Sequence, residues 1–285
     1  MPEGVEVLLI AESLKEFFHS KDSEGRGYVD ISVEEVYAES MVAKAVIPFS
    51  EFNTRFNRVL YEGVETFGKN IFVPLSEVAY LIVQLGMTGT FSTSYSSHSR
   101  VKFTVNKNHE LYYDDIRKFG CLSLQEKGHF KDRIQLLLTN SIEWRDEKLP
   151  KKLYPKIQKR KSWKDDEIKI LLMNQFVVAG VGNIYASECL FQAGVHPRRK
   201  AGSLSSDECF LLGTKIQEVM WASYAEGGMT VKTYSNFGKK GFGKKLLSVY
   251  SRSGSICQAC EKAVIQKIVQ DNRSTFYCPN CQKME

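Results

Sequence analysis

Four cysteines near the end of this chain restrict its fold more than any other feature of the sequence. Cys257 and Cys260 form one CxxC pair, Cys278 and Cys281 form a second, and residues 261–277 separate the two pairs. Thiolates at this spacing can surround a zinc ion as a tetrahedron. Because sulfur would then fill every coordination position, the sequence predicts one structural zinc ion that builds the local fold and takes no part in chemistry.

The segment between the two cysteine pairs alternates as β-strands do, which predicts a zinc-clamped β-hairpin. The tip of this hairpin consists of Asp271, Asn272, Arg273 and Ser274. An arginine held at the end of a rigid hairpin is suited to bind a DNA phosphate or to enter a groove. Arg273 is therefore a candidate DNA-binding residue.

The other cysteines, Cys121, Cys189 and Cys209, are isolated and are expected to be ordinary thiols in or near the core. With no export signal and no apolar run long enough to span a bilayer, we expect a soluble intracellular protein of the cytoplasm or nucleus, without disulfides. A chain of 285 residues can form two or three domains. The net charge of +6 is concentrated in Lys148–Lys164 and Lys232–Lys245, which favours a polyanionic partner.

The opening residues, Met1 to Glu6, form a candidate active site. Removal of Met1 would expose the secondary amine of Pro2, with the carboxylates of Glu3 and Glu6 following directly. An amine nucleophile beside acid/base carboxylates is suited to imine chemistry. Helical spacing of apolar residues predicts a helix over residues 4–19, whose positive end favours the carboxylates and an uncharged amine. Acidic residues in the first turn of an ordinary helix are the alternative interpretation.

Residues 27–124 consist of short β-branched segments separated by turns rich in Gly, Asn and Ser, which predicts an antiparallel sandwich or barrel. Strands are predicted at 28–33, 57–67, 71–75, 79–84, 101–105 and 110–113. Three turns in this region carry candidate functional side chains, which are Lys69, Met87, and Arg117 together with Phe119. A solvated turn lysine and a methionine in the core are the alternatives for the first two.

Residues 126–164 are polar and basic and contain two prolines, so they are predicted to be a linker into a second domain. Helical spacing predicts helices over 165–176 and 205–224. The lysine-rich loop over 234–245 is either disordered or becomes ordered over DNA.

A tight turn containing Gly180, Gly182 and Asn183 follows the first of these helices and leads into a further helical run through Cys189 and Phe191. Such a turn can present backbone N–H groups and the Asn183 amide to an anion. Close packing of helices would explain the two glycines equally well, but it does not explain Asn183.

Four motifs in this order resemble the formamidopyrimidine-DNA glycosylase and endonuclease VIII family of base-excision repair enzymes. They are PEGxE at the start, GVGNIYASE followed by LFQAGVHP, the GGMT segment, and the cysteine hairpin with DNRSTFYCPNCQ. The resemblance implies an α+β multidomain fold with DNA bound in a cleft. Its parts would be an N-terminal two-sheet antiparallel β-sandwich with a capping helix (1–125), a basic linker (126–164), a helix-two-turn-helix domain (165–246) and a C-terminal zinc-finger β-hairpin (247–285).

The resemblance also implies roles for individual residues. Pro2 matches the nucleophile that attacks C1′ of the damaged nucleotide, Glu3 the acid/base carboxylate, and Glu6 a supporting carboxylate. Lys69 and Arg273 would hold phosphates of the DNA. The resemblance counts both residues among the catalytic residues as well as among the DNA-binding ones. Further DNA contacts are implied for Asn183, at a phosphate, and for Met87, Arg117 and Phe119, which would fill the gap left by a flipped base.

The function that this resemblance implies is a bifunctional DNA glycosylase and abasic-site lyase that acts through a Schiff base and β,δ-elimination. It would be a monomer acting on damaged DNA, with one structural zinc ion and no redox cofactor. A glycine at position 4 is similar to the endonuclease VIII branch of the family. Gln84, by contrast, stands where the formamidopyrimidine-DNA glycosylase branch usually has a histidine. Oxidised pyrimidines and formamidopyrimidines are therefore favoured over 8-oxoguanine. A non-catalytic damaged-DNA binding protein is the alternative, and a zinc-ribbon adaptor fails to explain Asn183 and the opening motif.

Overall fold

The computed structural model describes residues 2–35, 53, 56–76, 78–128, 132–229, 236–239 and 241–284. The chain divides into two compact units, the first comprising Met1–Gln135 and Glu226–Phe242 and the second Leu136–Ala225 and Gly243–Glu285. Within the described ranges, no helix combines the length and the apolar character needed to cross a membrane.

The first unit begins with helix α1, Gly4–Lys21, which confirms the helix predicted over 4–19. Glu3 is its N-cap residue, and Glu3 and Glu6 form a capping box. The face predicted from the apolar spacing is the buried face, with Val7, Ile10, Ala11, Leu14 and Phe18 in the core. Burial of this face fixes the direction of the helix, and thereby the position of Pro2 and Glu3 at its amino end.

Nine strands follow α1 in the described part of this unit. They are β1 (Val29–Glu35), β2 (Arg58–Val59), β3 (Glu65–Phe67), β4 (Asn70–Leu75), β5 (Ala79–Gln84), β6 (Thr90–Ser92), β7 (Ser99–Val105), β8 (His109–Asp114) and β9 (Cys121–Glu126). All paired neighbours are antiparallel, in the order β6-β8-β7-β1-β2-β4-β5-β9, with β3 attached to β4.

Strand β1 joins the two halves of this arrangement. Val29 and Asp30 pair with β2, whereas the rest of β1 pairs with β7. Side chains from both halves, such as Ile71 of β4 and Phe103 of β7, share one core cluster with α1. The predicted two-sheet antiparallel sandwich with a capping helix is therefore confirmed.

The strand predicted over 57–67 is interrupted. A 3-10 turn at Tyr61–Gly63 separates β2 from β3, closed by hydrogen bonds from Gly63 N–H to Leu60 O (3.1 Å) and from Val64 N–H to Tyr61 O (3.1 Å). Tyr61 is buried in the core at this turn. Its burial produces the apolar alternation expected of a strand, although the backbone turns here.

The second unit is mainly helical. Its helices are α2 (Asp132–Asn140), whose first residues belong to the first unit, α3 (Leu149–Gln158), α4 (Lys161–Asp165), α5 (Ile168–Met173), α6 (Asn183–Gln192) and α7 (Ser206–Ala225). Two short parallel strands, β10 (Ile142–Glu143) and β11 (Val178–Ala179), pair with each other. The antiparallel hairpin of β12 (Gln266–Gln270) and β13 (Arg273–Tyr277) confirms the predicted zinc-finger hairpin.

The interpretation of residues 126–164 as a basic linker needs correction, because this segment contains α2, α3 and α4. Leu149, Leu153 and Ile157 lie one turn apart on α3 and are completely buried. Pro150 lies in the first turn of α3, where a missing N–H leaves no hydrogen bond unmade. Pro150 thus marks the start of a core helix, whereas Pro155 and the exposed lysines Lys151 and Lys152 lie on its solvent face.

The helix predicted over 165–176 is shorter than expected. Helix α5 covers only Ile168–Met173, because Asp166 and Glu167 are extended and separate it from α4, which ends at Asp165. Glu167 forms an isolated antiparallel β-bridge with Lys200, and the Ile168 N–H donates to Arg199 O at 2.8 Å. The helix predicted over 205–224 is confirmed by α7.

The predicted boundaries at 165, 246 and 247 also differ from the observed division. The second unit begins at Leu136, and Glu226–Phe242 belong to the first unit. Parts of the GGMT motif and of the 234–245 loop, together with Met1, lie outside the described residues. The isolated cysteines behave as predicted, since Cys189 and Cys209 are buried and Cys121 is partly buried.

A buried carboxylate connects α6 to the segment that leads into the zinc finger. Glu188 is 1% exposed and accepts backbone N–H groups from Ser248 (2.8 Å), Val249 (3.0 Å) and Tyr250 (2.7 Å). Burial raises the pKa of Glu188, and these three donors oppose that rise. Glu188 thus fixes the start of the finger on α6.

We expect Glu188→Gln to lower the free energy of unfolding by about 1–3 kcal/mol, because the new amide replaces one accepting oxygen with an NH2 group, which as a donor cannot accept the backbone N–H that it faces. Urea denaturation measures this change. Glu147→Gln, at an exposed position of the same unit, is the matched control and should change stability by less than about 0.5 kcal/mol. Equal effects of the two substitutions would contradict the role assigned to Glu188.

Candidate active site

The amino end of α1 brings three predicted residues together. Pro2 is buried, and Glu3 and Glu6 are 1% and 2% exposed. The Glu3 N–H donates to Glu6 Oε2 at 2.9 Å. The positive end of the helix dipole lies at these residues.

Glu6 also binds the segment that carries the GGM motif, within the same unit. Its Oε1 accepts the N–H of Met229 at 2.8 Å. Gly228 has a φ of +95°, and a Cβ at this position would lie 3.1 Å from Glu6 Oε1. Both oxygens of Glu6 therefore accept backbone N–H groups, and the geometry suits a positioning residue better than a proton carrier.

Lys69 lies in the two-residue turn between β3 and β4. Gly68 precedes it with a φ of +59°, the sign that a type II′ hairpin turn requires at its first central position. Asn70 Nδ2 donates to Phe67 O (3.1 Å), and Gln84 Nε2 donates to Asn70 Oδ1 (2.7 Å). Gln84, expected to mark a departure from the family, thus supports the turn that presents Lys69.

Met87, Arg117 and Phe119 lie on two loops that are bound to each other through Asp115. The Asp115 carboxylate is 1% exposed. Its Oδ1 accepts the Thr88 hydroxyl (2.5 Å) and the Arg117 N–H (3.2 Å), while Oδ2 accepts the Gly120 N–H (2.7 Å). Arg117 N–H also donates to Thr88 Oγ1 at 3.0 Å. One buried carboxylate therefore holds both loops in register.

The side chains that these loops present are suited to enter a base stack. Phe119 is 58% exposed, and the Arg117 guanidinium lies 4.8 Å from the centre of its ring, within cation–π distance. Met87 is half-buried in the facing turn. We call Met87, Arg117 and Phe119 the wedge surface. An exposed aromatic ring on a rigid loop can replace lost base stacking, because little conformational entropy is lost when the ring inserts.

In the second unit, Asn183 is the first residue of α6 and is held by two side-chain hydrogen bonds. Its Oδ1 accepts the ammonium of Lys169 at 2.7 Å, and its Nδ2 donates to the backbone oxygen of Ser274 at 2.9 Å. The side chain is therefore tied to the hairpin rather than simply exposed in a turn. A primary amide has two N–H donors, so one donor of Nδ2 is not used in these bonds.

Arg273 lies beside Ser274, so the structure brings it close to Asn183 within the second unit. Asp271 and Asn272 form the hairpin loop with φ values of 47° and 57°, the signs of a type I′ turn. Arg273 is exposed, and its guanidinium contacts the sulfur of Met173 on α5 at 3.9 Å. The hairpin thus presents a cation next to an amide.

The four predicted zinc ligands converge. Their sulfur atoms all lie within 4.8 Å of one another, with Cys257 and Cys281 at 3.8 Å and Cys260 and Cys278 at 3.7 Å. Zn–S bonds of about 2.3 Å in a tetrahedron place sulfurs about 3.8 Å apart. The cluster therefore fits one zinc ion, with no coordination position left for a substrate.

The electrostatics of the cluster agree with a bound cation. Backbone N–H groups of Lys262 and Ala263 lower the pKa of Cys260 to about 6, which favours its thiolate. Burial and the neighbouring sulfurs raise the pKa of Cys281 in the absence of metal. Four adjacent thiolates therefore need a cation, and zinc would supply the charge that the protein lacks here. The metal's contribution is to hold the hairpin with Arg273 at its tip.

Comparisons with known proteins match most of the chain. Residues 1–122 match the formamidopyrimidine-DNA glycosylase N-terminal domain, residues 145–235 its H2TH domain, and residues 254–283 the zinc finger found in FPG and IleRS. The formamidopyrimidine-DNA glycosylase of Bacillus cereus is 33% identical, over 78% of this chain and 80% of that protein. The Rickettsia africae protein of the same name is 37% identical, over 71% and 74%.

The chain belongs to the formamidopyrimidine-DNA glycosylase family. It is a DNA-repair glycosylase with lyase activity at abasic sites.

Solved structures of formamidopyrimidine-DNA glycosylases share the fold. A Lactococcus lactis FPG mutant in complex with DNA containing Fapy-dG matches with a TM-score of 0.83 and 27% identity, covering 99% of this chain and 100% of that one. MutM in complex with DNA containing carbocyclic 8-oxo-G matches with a TM-score of 0.82 and 27% identity, over the same shares.

Two residues that position candidate site residues are not predicted from the sequence. Lys169 is 0% exposed although it lies between apolar residues of α5, and a lone lysine in such a run was the available signal. Asp115 lies close to the predicted residues Arg117 and Phe119, but the loop sequence does not distinguish this buried carboxylate from the exposed residues around it. Only the fold shows that both side chains position other candidate residues.

We expect Asp115→Asn to loosen the wedge surface, because an amide N–H would face the backbone donors now bound by the carboxylate. The free energy of unfolding should fall by about 1–3 kcal/mol, and the affinity for duplex DNA with a tetrahydrofuran abasic analogue should fall about tenfold through lost preorganisation. Denaturation and fluorescence anisotropy measure the two effects.

Asp114→Asn is the matched control for this experiment. Asp114 accepts one hydroxyl, that of Ser99 at 2.6 Å, and does not bridge the two loops. Its substitution should leave the DNA affinity within about twofold of wild type. If D115N binds the abasic duplex as tightly as D114N, Asp115 does not organise the wedge surface.

Proposed function

We propose that this glycosylase removes oxidised bases through an imine formed by the amine of Pro2, and then cuts the strand on both sides of the abasic sugar by β- and δ-elimination. The observation that carries the proposal is the placement of Pro2 and the buried Glu3 at the positive end of α1. The amine must be uncharged to attack, and the helix dipole favours that form.

In the proposed mechanism, the Pro2 nitrogen forms a bond to C1′ while the damaged base leaves with the electrons of the glycosidic bond. Glu3 assists by protonating the sugar ring oxygen as the ring opens, which yields an iminium between Pro2 and C1′. Loss of a C2′ proton then expels the 3′ phosphate, a second elimination expels the 5′ phosphate, and water releases the sugar fragment from Pro2. Glu6 holds the site together through Met229.

The remaining candidate residues would hold the DNA in the bent form that base flipping requires. Lys69, Asn183 and Arg273 are proposed to bind phosphates, supported by their positions on rigid turns and at a helix start. The wedge surface would occupy the space of the flipped nucleotide. The ordered zinc hairpin supports Arg273 in this role.

Among lesions, we propose that oxidised pyrimidines and formamidopyrimidines are better substrates than 8-oxoguanine. Formamidopyrimidines agree with the names of the relatives and with the Fapy-dG complex of the Lactococcus lactis protein. Ring-opened and saturated bases stack less well than an intact planar purine, so flipping them costs less. The glycine at position 4 resembles the endonuclease VIII branch of the family, and this resemblance favours pyrimidine lesions as substrates.

Borohydride trapping tests the proposed nucleophile. Protein from which Met1 has been removed should form a covalent complex with an abasic-site oligonucleotide, because borohydride reduces the iminium at Pro2. Protein that retains Met1 should bind the same oligonucleotide but give no trapped band, which also tests the alternative of a non-catalytic DNA-binding protein. Absence of a band from the processed protein would exclude the imine mechanism.

A cleavage panel tests the proposed lesion preference. We expect single-turnover rates on an oxidised pyrimidine and on a formamidopyrimidine in duplex DNA to exceed the rate on 8-oxoguanine about tenfold, a difference of about 1.4 kcal/mol in the barrier. An abasic duplex serves as the control for lyase activity and should be cut at the same rate in all preparations. Faster removal of 8-oxoguanine than of both other lesions would overturn the assignment.

A further inference from the structure

A basic cavity lies in the helical unit and shares no lining residue with the candidate active site. Its volume is about 290 Å³, and it is lined by residues of α2, α3, α4 and the segment that follows α5. Lys156, Lys159 and Arg160 contribute cationic side chains, and Trp163 and Phe176 contribute aromatic ones. The described residues that line it include no carboxylate.

The cations of this cavity are not neutralised within the described part of the chain. Four other basic residues of the unit, Arg145, Lys152, Arg199 and Lys215, form ion pairs with carboxylates, for example Lys152 with Asp146 at 2.5 Å. By contrast, burial and then the neighbouring positive charges of Lys159 and Arg160 lower the pKa of Lys156. Three like charges around one concave space repel each other, and a bound anion would relieve that repulsion.

The positions of these cations are fixed by packing. The Lys156 ammonium donates to the backbone oxygen of Asn140 and lies 5.2 Å from the centre of the Trp163 ring. The Arg160 guanidinium lies 4.8 Å from the same ring, and Trp163 itself is buried. The indole therefore holds two cations at the cavity wall, so an anion would meet a preorganised site.

Phe176 and the exposed side chain of Leu136, at 51%, extend the cavity with apolar surface beside the cations. A phosphate alone would use the cations but not this surface. Single-stranded nucleic acid offers both partners, since its backbone is anionic and its unpaired bases can stack on aromatic side chains. A duplex keeps its bases stacked internally and cannot insert one here without unpairing.

We propose that this cavity binds one phosphate and the adjoining unpaired nucleoside of single-stranded DNA, separately from the lesion. Lys159 and Arg160 would bind the phosphate, and Phe176 would contact the base. The inference goes beyond the proposed function, because it requires neither a damaged base nor the amine of Pro2.

The test measures binding of an undamaged 5′-phosphorylated thymidine oligonucleotide of about ten nucleotides over a range of salt concentrations. The double variant Lys159→Gln/Arg160→Gln removes two pocket charges at exposed positions. Lys151→Gln/Lys161→Gln removes the same charge from exposed positions of the same basic segment outside the pocket, and is the matched control.

We expect the pocket variant to bind about tenfold more weakly at low salt, and its salt slope to be smaller by about 0.7, the value for one single-strand phosphate. The control should stay within about twofold of wild type. Phe176→Leu should weaken binding at an unchanged salt slope, because it removes stacking and no charge.

Three outcomes would overturn the proposal. Equal losses in the pocket and control variants would show general electrostatic attraction. Inorganic phosphate that displaces the oligonucleotide at equal concentration would identify a site for a free anion, and a poly-glutamate peptide that binds as tightly would identify a site for acidic protein. Borohydride trapping of each variant on an abasic duplex, run in parallel, reports the proposed lesion chemistry independently.

Discussion

The candidate active site depends on a carboxylate that has been taken out of water and satisfied by backbone donors. Glu6 accepts the N–H of Glu3 at the start of α1 and the N–H of Met229 from a segment more than two hundred residues later in the chain. An ionised carboxylate buried without such donors would be strongly destabilising, so the two segments must meet for either to be stable. Gly228 allows this meeting because any Cβ there would press on Glu6. The position of Pro2 is thereby fixed by a contact between distant parts of the sequence.

The same device recurs at two other functional places. Asp115 accepts donors from two loops and so sets the spacing of Arg117 relative to Met87. Glu188 accepts three consecutive backbone N–H groups and so sets where the zinc finger starts. Loops and termini have few apolar contacts of their own, whereas a buried carboxylate gives several directional bonds at one point. A repair enzyme whose functional side chains lie on loops can in this way keep them preorganised.

Local chemistry made part of this structure predictable from sequence. The cysteine spacing gives the zinc hairpin, and apolar periodicity gives α1 and α7, because these features depend on neighbours along the chain. Residues 126–164 were misinterpreted because Pro150 at a helix start and exposed lysines on a core helix resemble a linker until the partner helix is known. The sequence does not mark Asp115 as buried, since a buried carboxylate differs from an exposed one only in its three-dimensional surroundings, and for Lys169 the only signal is its place in an apolar run.

The two units divide the work of the proposed reaction. Pro2 and Glu3 belong to the first unit, whereas Asn183 and Arg273 belong to the second. Contacts to phosphates change little between substrate and transition state, so by themselves they add affinity without rate. They contribute to catalysis only if that binding energy is used to hold the DNA in a bent, flipped form at the amine. It follows that substitutions in the zinc hairpin or at Glu188, which would weaken the phosphate contacts of the second unit, should act mainly on formation of the flipped complex. They should leave the intrinsic reactivity of Pro2 unchanged.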